Sequence, residues 1–152
     1  MTSKKPLWHH LKTTLVIILA CCLIGILNPT PAEARGETLT VDEILLMAKV
    51  MELETGCNSD LCLLYTGSVI LNRRNSAEWP DTVQGVIYQK GQYAAWTLHH
   101  IDTVKISPRV MSLALKLATC GPLDEEIIFQ SMHPELGRVK YHIDTEYFAT
   151  AK

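Results

Sequence analysis

Nothing in this 152-residue sequence repeats at a fixed period, and no tract has the composition of a disordered or low-complexity segment. Basic charge is not in surplus. The 14 Lys and Arg stand against 16 Asp and Glu, a net of −2, which leaves no electrostatic footprint for nucleic acid. Metal-ligand spacing is also missing. Cys57 and Cys62 form a C-x4-C pair whose nearest third cysteine is Cys120, a poor pattern for zinc. His99 and His100 adjoin and so point apart, His133 and His142 lie farther on, and no carboxylate stands at metal spacing from them in the sequence. No metal and no other cofactor is expected.

Long apolar runs are absent except for one. The first twelve residues carry Lys4, Lys5 and Lys12, then Thr13 to Leu27 is almost wholly apolar, and Ala32-Glu33-Ala34 closes the segment. Basic, apolar and small, in that order, describe a secretory signal peptide cut after Ala34. The run is shorter than the roughly 20 residues of a membrane span. Two alternatives stay open, an uncleaved anchor and lipidation at Cys21. Residues 1–34 are therefore expected to be the export signal and 35–152 the working domain, secreted or held in the cell envelope. The membrane would be a partner only through an uncut signal. Removal of the signal takes away three lysines and Glu33, leaving 11 basic and 15 acidic side chains and a net charge of −4. In an exported protein a Cys57–Cys62 disulfide would pin the loop between them. Free or buried thiols are the alternative.

What is present is mostly helix. Thr40 reads as an N-cap with Glu43 as its capping-box partner, Leu39 and Ile44 have the spacing of a hydrophobic staple, and Gly56 can stop the helix, giving Val41 to about Glu54. A second helix is expected from about Ser59 to Arg74, with Leu61, Leu64, Tyr65, Ser68, Val69 and Asn72 at helical spacing. Gly67 and Ser68 are small enough for another helix to approach. Asp81, with Gln84 three residues on, can cap a short third helix, and 89–96 reads as a loop. Ser107 followed by Pro108, with Gly121 at the end, punctuates another helix whose apolar face holds Val110, Met111, Ala114, Leu117 and Ala118. The tail turns β-branched and aromatic between Pro134, Gly137 and Asp144, which predicts a small hairpin or three-stranded meander. The fold class is α+β, mainly α.

Two glutamates end the first helix. On a helical wheel Ile44, Met47, Ala48 and Met51 form the core stripe. Glu52 lies beside that stripe, on the same side as Lys49 and Asp42, and reads as a solvated residue paired with Lys49. Glu54 lies on the opposite flank among apolar neighbours. A carboxyl that is desolvated and close to a helix C-terminus has its charge disfavoured, which suits a general acid.

Three blocks now bear on Glu54: AKVMELE (Ala48 to Glu54), VILNR (Val69 to Arg73) and PDTVQGVIYQKGQY (Pro80 to Tyr93). In this order they resemble the spore cortex-lytic, SleB-like cell wall hydrolase family. The resemblance implies a lysozyme-like fold, peptidoglycan as partner, commonly lytic transglycosylase activity, and Glu54 as the catalytic residue. It implies that the loop from Gln89 to Trp96 walls the cleft. There Gln89 and Gln92 would hydrogen-bond sugar hydroxyls and acetamides, and Tyr93 and Trp96 would stack on sugar faces. Gln130 and Tyr141 are candidates to close it. Asn72 reads instead as a helix terminator bonded to backbone. The TGCNSD that follows Glu54 departs from the family pattern, and the tail after Gly121 matches loosely. Both departures bear on the cleft rim. No second carboxylate is obvious. Asp60 and Asp81 read as turn or cap residues, and Asp102 keeps a two-carboxylate hydrolase open. A rival expectation is a wall-binding or accessory protein on the same fold.

Overall fold

The computed structural model describes residues 38–152. The expected signal peptide and its cleavage point lie outside them. Among the described residues no helix is long and apolar enough to cross a membrane. Five helices precede three strands: α1 (Val41–Thr55), α2 (Asp60–Asn75), α3 (Val83–Tyr88), α4 (Ala95–His100), α5 (Pro108–Cys120), β1 (Phe129–Ser131), β2 (Arg138–Ile143) and β3 (Glu146–Thr150).

The helix starts follow local chemistry. At α1 the Glu43 amide donates to Thr40 Oγ1 at 3.2 Å and the Thr40 amide donates to Glu43 Oε2 at 3.0 Å, a reciprocal capping box. At α5 the Val110 amide donates to Ser107 Oγ at 3.3 Å, with Pro108 at the first helical position. The third helix begins one residue later than expected. Thr82, not Asp81, is its cap, accepting from the Gly85 amide at 3.0 Å. A short helix covers residues 95–100, taking in the last two residues of the expected loop, and its cap, Ala94, offers no side-chain bond.

Helix α2 is the centre of the molecule. Every residue from Cys62 to Arg74 is buried, while Leu61, which the periodicity placed on the apolar face, is 49% exposed. A helix buried on all sides has no single apolar stripe. One side of it joins Met47, Val50 and Met51 of α1 and Val110, Ala114 and Leu117 of α5 in the main core. Gly67 makes that approach possible: a methyl group on its α-carbon would overlap Leu117 and press on Met51. The other side of α2 supplies Cys62, Tyr65 and Val69 to a second cluster, completed by Ile127 and by Phe148 of β3.

The sheet is antiparallel with strand order β1-β3-β2. It is thus three-stranded, as one of the two sequence expectations had it, but it is not a meander, because β3 takes the middle. The reason is burial. Phe148 and Ala149 are the sheet's most enclosed apolar residues, while β2 is largely exposed. The β2–β3 turn is clasped to the start of α2: Asp144 Oδ2 accepts from the Ser59 amide at 2.8 Å and from Ser59 Oγ at 2.6 Å. Asn72 holds the other end of the sheet. It does bond to backbone, but not as a helix terminator, since α2 runs on to Asn75. Its Nδ2 donates at 2.7 Å to the carbonyl oxygens of both Asp124 and Ile127.

Candidate active site

Glu54 occupies the last turn of α1, and its surroundings hold that turn still. Thr55, the next residue, is fully buried. Its hydroxyl donates to Met51 O at 3.2 Å and shares a 3.1 Å hydrogen bond with Thr66 of α2. The Glu54 carboxylate is itself held from α4. Thr97, 2% exposed, donates from Oγ1 to Glu54 Oε1 at 2.6 Å. No described residue donates to Oε2. One oxygen is therefore oriented by protein, and the other has no protein donor among the described residues.

Glu54 lines a cavity of about 270 Å³ between the helices and the sheet. Beside Glu54, its walls include Arg73 of α2, Gln92 and Tyr93 from the segment before α4, Gln130 of β1 and Glu146 of β3. Glu146 is the residue that sequence reasoning missed. It is only 6% exposed, and Gln130 Nε2 donates to its Oε2 at 3.3 Å. Burial raises its pKa, and the charge of Glu54 pushes the same way against the bond from Gln130. A period-two reading of EYFAT carried the signal, because Glu146 shares a strand face with Phe148. The Tyr93 hydroxyl is also made a weaker acid by burial, with Arg73 opposing and Glu54 adding to the effect.

The remaining sequence candidates fall elsewhere. Gln89 does not line this cavity. It follows α3 as its cap, and its side-chain oxygen is buried without a hydrogen-bond partner. Trp96 does not line it either. The residue is 57% exposed, with its ring centre 4.5 Å from that of His100. Tyr141 packs on Tyr65 and donates to Asp124 Oδ2 at 2.9 Å. Of the three aspartates considered as second carboxylates, Asp60 pairs with Arg109 at 2.6 Å, and Asp81 and Asp102 are exposed. Glu52 is not a solvated residue. Its Oε2 accepts from the amide and the hydroxyl of Ser107, both at 2.8 Å, and so anchors the cap of α5.

The Cys57–Cys62 bridge is not formed, and both residues are free thiols. Their side chains face different surroundings. Cys62 sits in the second cluster, where burial pushes its thiol up to about 11, while Cys57 is exposed. Asn58 stands between them, donating to Cys62 Sγ at 3.4 Å and accepting from Cys57 Sγ at 3.6 Å. Among the described residues no three His, Cys, Asp or Glu side chains converge as metal ligands.

The fold has solved counterparts. The catalytic domain of the germination-specific lytic transglycosylase SleB from Bacillus anthracis superposes with a TM-score of 0.63 at 21% identity, covering 74% of this chain and 97% of that one. The catalytic domain of the Bacillus cereus SleB protein gives 0.61 at 22% identity, covering 73% and 91%. The architecture is thus lysozyme-like, mainly helical with one small antiparallel sheet. No curated protein matches the chain. A family model described as Cell Wall Hydrolase matches residues 62–143, a span that takes in Arg73, Gln92, Tyr93 and Gln130 and stops short of Glu54 and Glu146 on either side. That span is more than half of the sequence, and the chain belongs to the cell wall hydrolase family.

Proposed function

We propose that this chain is an exported enzyme that cleaves peptidoglycan glycan strands at the bond from N-acetylmuramic acid to N-acetylglucosamine, as a lytic transglycosylase with Glu54 as general acid and base. The observation that carries the reading is the state of the Glu54 carboxylate: one oxygen fixed by buried Thr97, the other without a protein donor, on a residue that lines the cavity. Family membership supports the substrate class. The fold shared with a protein described as a lytic transglycosylase supports the reaction.

The chemistry runs on one proton. Glu54 in its acid form gives the proton to the glycosidic oxygen as the C1–O bond breaks. Positive charge builds at C1, where the sugar's own N-acetyl oxygen can bond to it. The Glu54 carboxylate then takes the proton of the C6 hydroxyl as O6 attacks C1, and a 1,6-anhydro ring closes. The acid form is restored and no water is consumed. Gln92 and Gln130 offer amide groups to the sugar's acetamide and hydroxyls. The N-terminal segment is proposed to direct export, with cleavage after Ala34.

A second reading has its own observation. Glu146 is a buried carboxyl in the same cavity, and two carboxyls are what glycoside hydrolysis by water requires. Mass spectrometry of soluble products from purified peptidoglycan separates the two, using the parent, Glu54→Gln and Glu146→Gln. Anhydromuramoyl ends that vanish with Glu54→Gln and persist with Glu146→Gln support the transglycosylase. Reducing muramoyl ends that vanish with either variant support the hydrolase. A folded parent that releases nothing from several wall types, yet binds them, overturns both and leaves a wall-binding protein. N-terminal sequencing of the exported form tests the cleavage point.

A further inference from the structure

The cavity lining contains one cation, and among the described residues no carboxylate pairs with it. Arg73 is 5% exposed and lines the cavity wall. Its Nε is committed to the Ile128 carbonyl oxygen at 2.7 Å. Its guanidinium carbon lies 4.4 Å from the ring centre of Trp79 and 5.8 Å from that of Phe129. These contacts hold the guanidinium in place and cover it on the protein side. They leave its two terminal amines without an acceptor among the described residues. Ion pairs there join Arg109 to Asp60, and Lys140 to Asp124 and Glu126, and none of them reaches Arg73.

The two carboxyls of the same cavity do not serve as its counter-charge. Glu54 takes its bond from Thr97, and Glu146 takes its bond from Gln130. Neither comes within ion-pair distance of Arg73. Burial lowers the pKa of Arg73, with Tyr93 opposing, so a carboxylate that reached the guanidinium would favour its charged form. A rigid guanidinium with two free amines has the geometry for bidentate capture of a carboxylate.

The substrate class proposed above brings one. A muramoyl residue carries at C3 a lactyl ether that ends in a carboxyl group. On a bare strand this is a free carboxylate. On a substituted strand it is an amide, and the nearest carboxylate belongs to the attached amino acid or peptide. C3 and the scissile C1 belong to the same ring, and Glu54 and Arg73 line the same cavity, so a muramoyl residue presented to Glu54 with its C3 edge towards α2 brings its side chain to Arg73.

We propose that Arg73 is a carboxylate-reading subsite, whose terminal amines pair with the acidic end of the muramoyl side chain and make the protein favour acidic muramoyl glycans over neutral ones. The inference rests on reading this cavity as a peptidoglycan site. Arg73 acts here on binding and specificity and takes no part in proton transfer.

The test changes the charge on the ligand, so the central comparison needs no variant to fold. Three probes are titrated into the purified chain: the N-acetylglucosaminyl–N-acetylmuramic acid disaccharide as free acid, its neutral methylamide, and its L-alanyl amide, which moves the carboxylate one residue outward. The better of the two acids is expected to bind about tenfold more tightly than the methylamide, the size of one charge-assisted contact. Free acid ahead of alanyl amide assigns the contact to the lactyl carboxylate, and the reverse order assigns it to the peptide. Arg73→Gln, checked for folding by circular dichroism, should bring the ratio of acid to methylamide near one.

Equal binding of acid and methylamide by the parent overturns the proposal. So does binding of no probe, or a ratio that survives in folded Arg73→Gln. The outcome is independent of turnover. A parent that discriminates but cuts nothing keeps the subsite and loses the enzyme reading. A parent that cuts without discriminating loses the subsite alone.

Discussion

Replacing Thr97 by valine removes a single hydroxyl and leaves the shape of the side chain. In the structure that hydroxyl has one protein acceptor, Glu54 Oε1, at 2.6 Å, and the residue around it is 98% enclosed, so water has little access from the Thr97 side. A hydrogen bond to a charged group contributes about 1.5–3 kcal/mol. If that energy serves to aim the carboxyl at the glycosidic oxygen, its loss appears in the chemical step. At about 1.4 kcal/mol per factor of ten, kcat falls roughly 10- to 100-fold. KM should move less than about threefold, because Thr97 is not among the cavity-lining residues. Folding stability should change by no more than about 1 kcal/mol, because valine fills the buried volume and the freed carboxylate oxygen stays within reach of cavity water. The assay is the release of soluble muropeptides at several substrate concentrations, with a thermal melt beside it and Thr97→Ser as the conservative control. Serine restores the donor and should restore most of kcat. Parental kcat in Thr97→Val refutes the argument. So does a serine variant as slow as the valine one, which would make Thr97 a packing residue.

Gly67→Ala should lower stability by about 1–3 kcal/mol, because overpacking against Leu117 and Met51 outweighs the roughly 1 kcal/mol by which alanine is the better helix former. A denaturation midpoint at or above that of the parent would mean that Leu117 swings clear. Glu52→Ala removes the two 2.8 Å bonds that hold the α5 cap, and the expected cost is about 1–3 kcal/mol of stability with cleavage retained wherever the protein stays folded. Loss of cleavage without loss of stability would place Glu52, not Glu54, at the chemistry. For Glu146 the sign follows from its raised pKa. Its contribution to stability is full below the unfolded-state pKa and is lost as pH rises through the folded value. Glutamine does not ionise. Glu146→Gln should therefore melt above the parent at about pH 8, with the gap closing towards about pH 4, and a gap that does not change with pH contradicts the burial argument.

How much of this is legible in the sequence depends on how local each signal is. The starts of α1, α2 and α5 are written within four residues, by Thr40 with Glu43, by Ser59, and by Ser107 with Pro108. α4 has no such mark. Its six residues are too few to show a period, and Ala94 cannot cap them. The strands are legible as strands, but their order is not. Which one lies in the middle is decided where Phe148 meets Tyr65, 83 positions away along the chain, with ring centres 5.2 Å apart. The same distinction runs through the site. Glu54 is singled out in the sequence by its flank of α1 and by the blocks around it, and the structure places it on the cavity wall. Glu52 looks solvated on a wheel because its partner, Ser107, is 55 residues downstream. Glu146 looks like a polar residue after a turn until β3 is placed against α2.

Several of the long-range contacts that the sequence hides are anchored on α2, which explains why it keeps so many buried polar side chains. Thr66 ties α2 to the turn that carries Glu54. Asn72 and Arg73 tie its far end to the carbonyl oxygens of residues 124, 127 and 128, just before the strand that carries Gln130. Ser59 ties its first turn to the tip of the β2–β3 hairpin, next to Glu146. The bonds of Thr66, Asn72 and Arg73 cost desolvation of buried polar groups, and apolar packing alone would enclose the helix as well. Apolar packing lacks direction, however, and tolerates small slides of one wall against the other. A catalytic carboxyl needs its partners fixed to within about half an ångström. Directional hydrogen bonds from one helix to both walls fix the turn bearing Glu54 relative to the strands bearing Gln130 and Glu146. The apolar residues of α2 hold the fold together, and its polar residues set the geometry of the cavity.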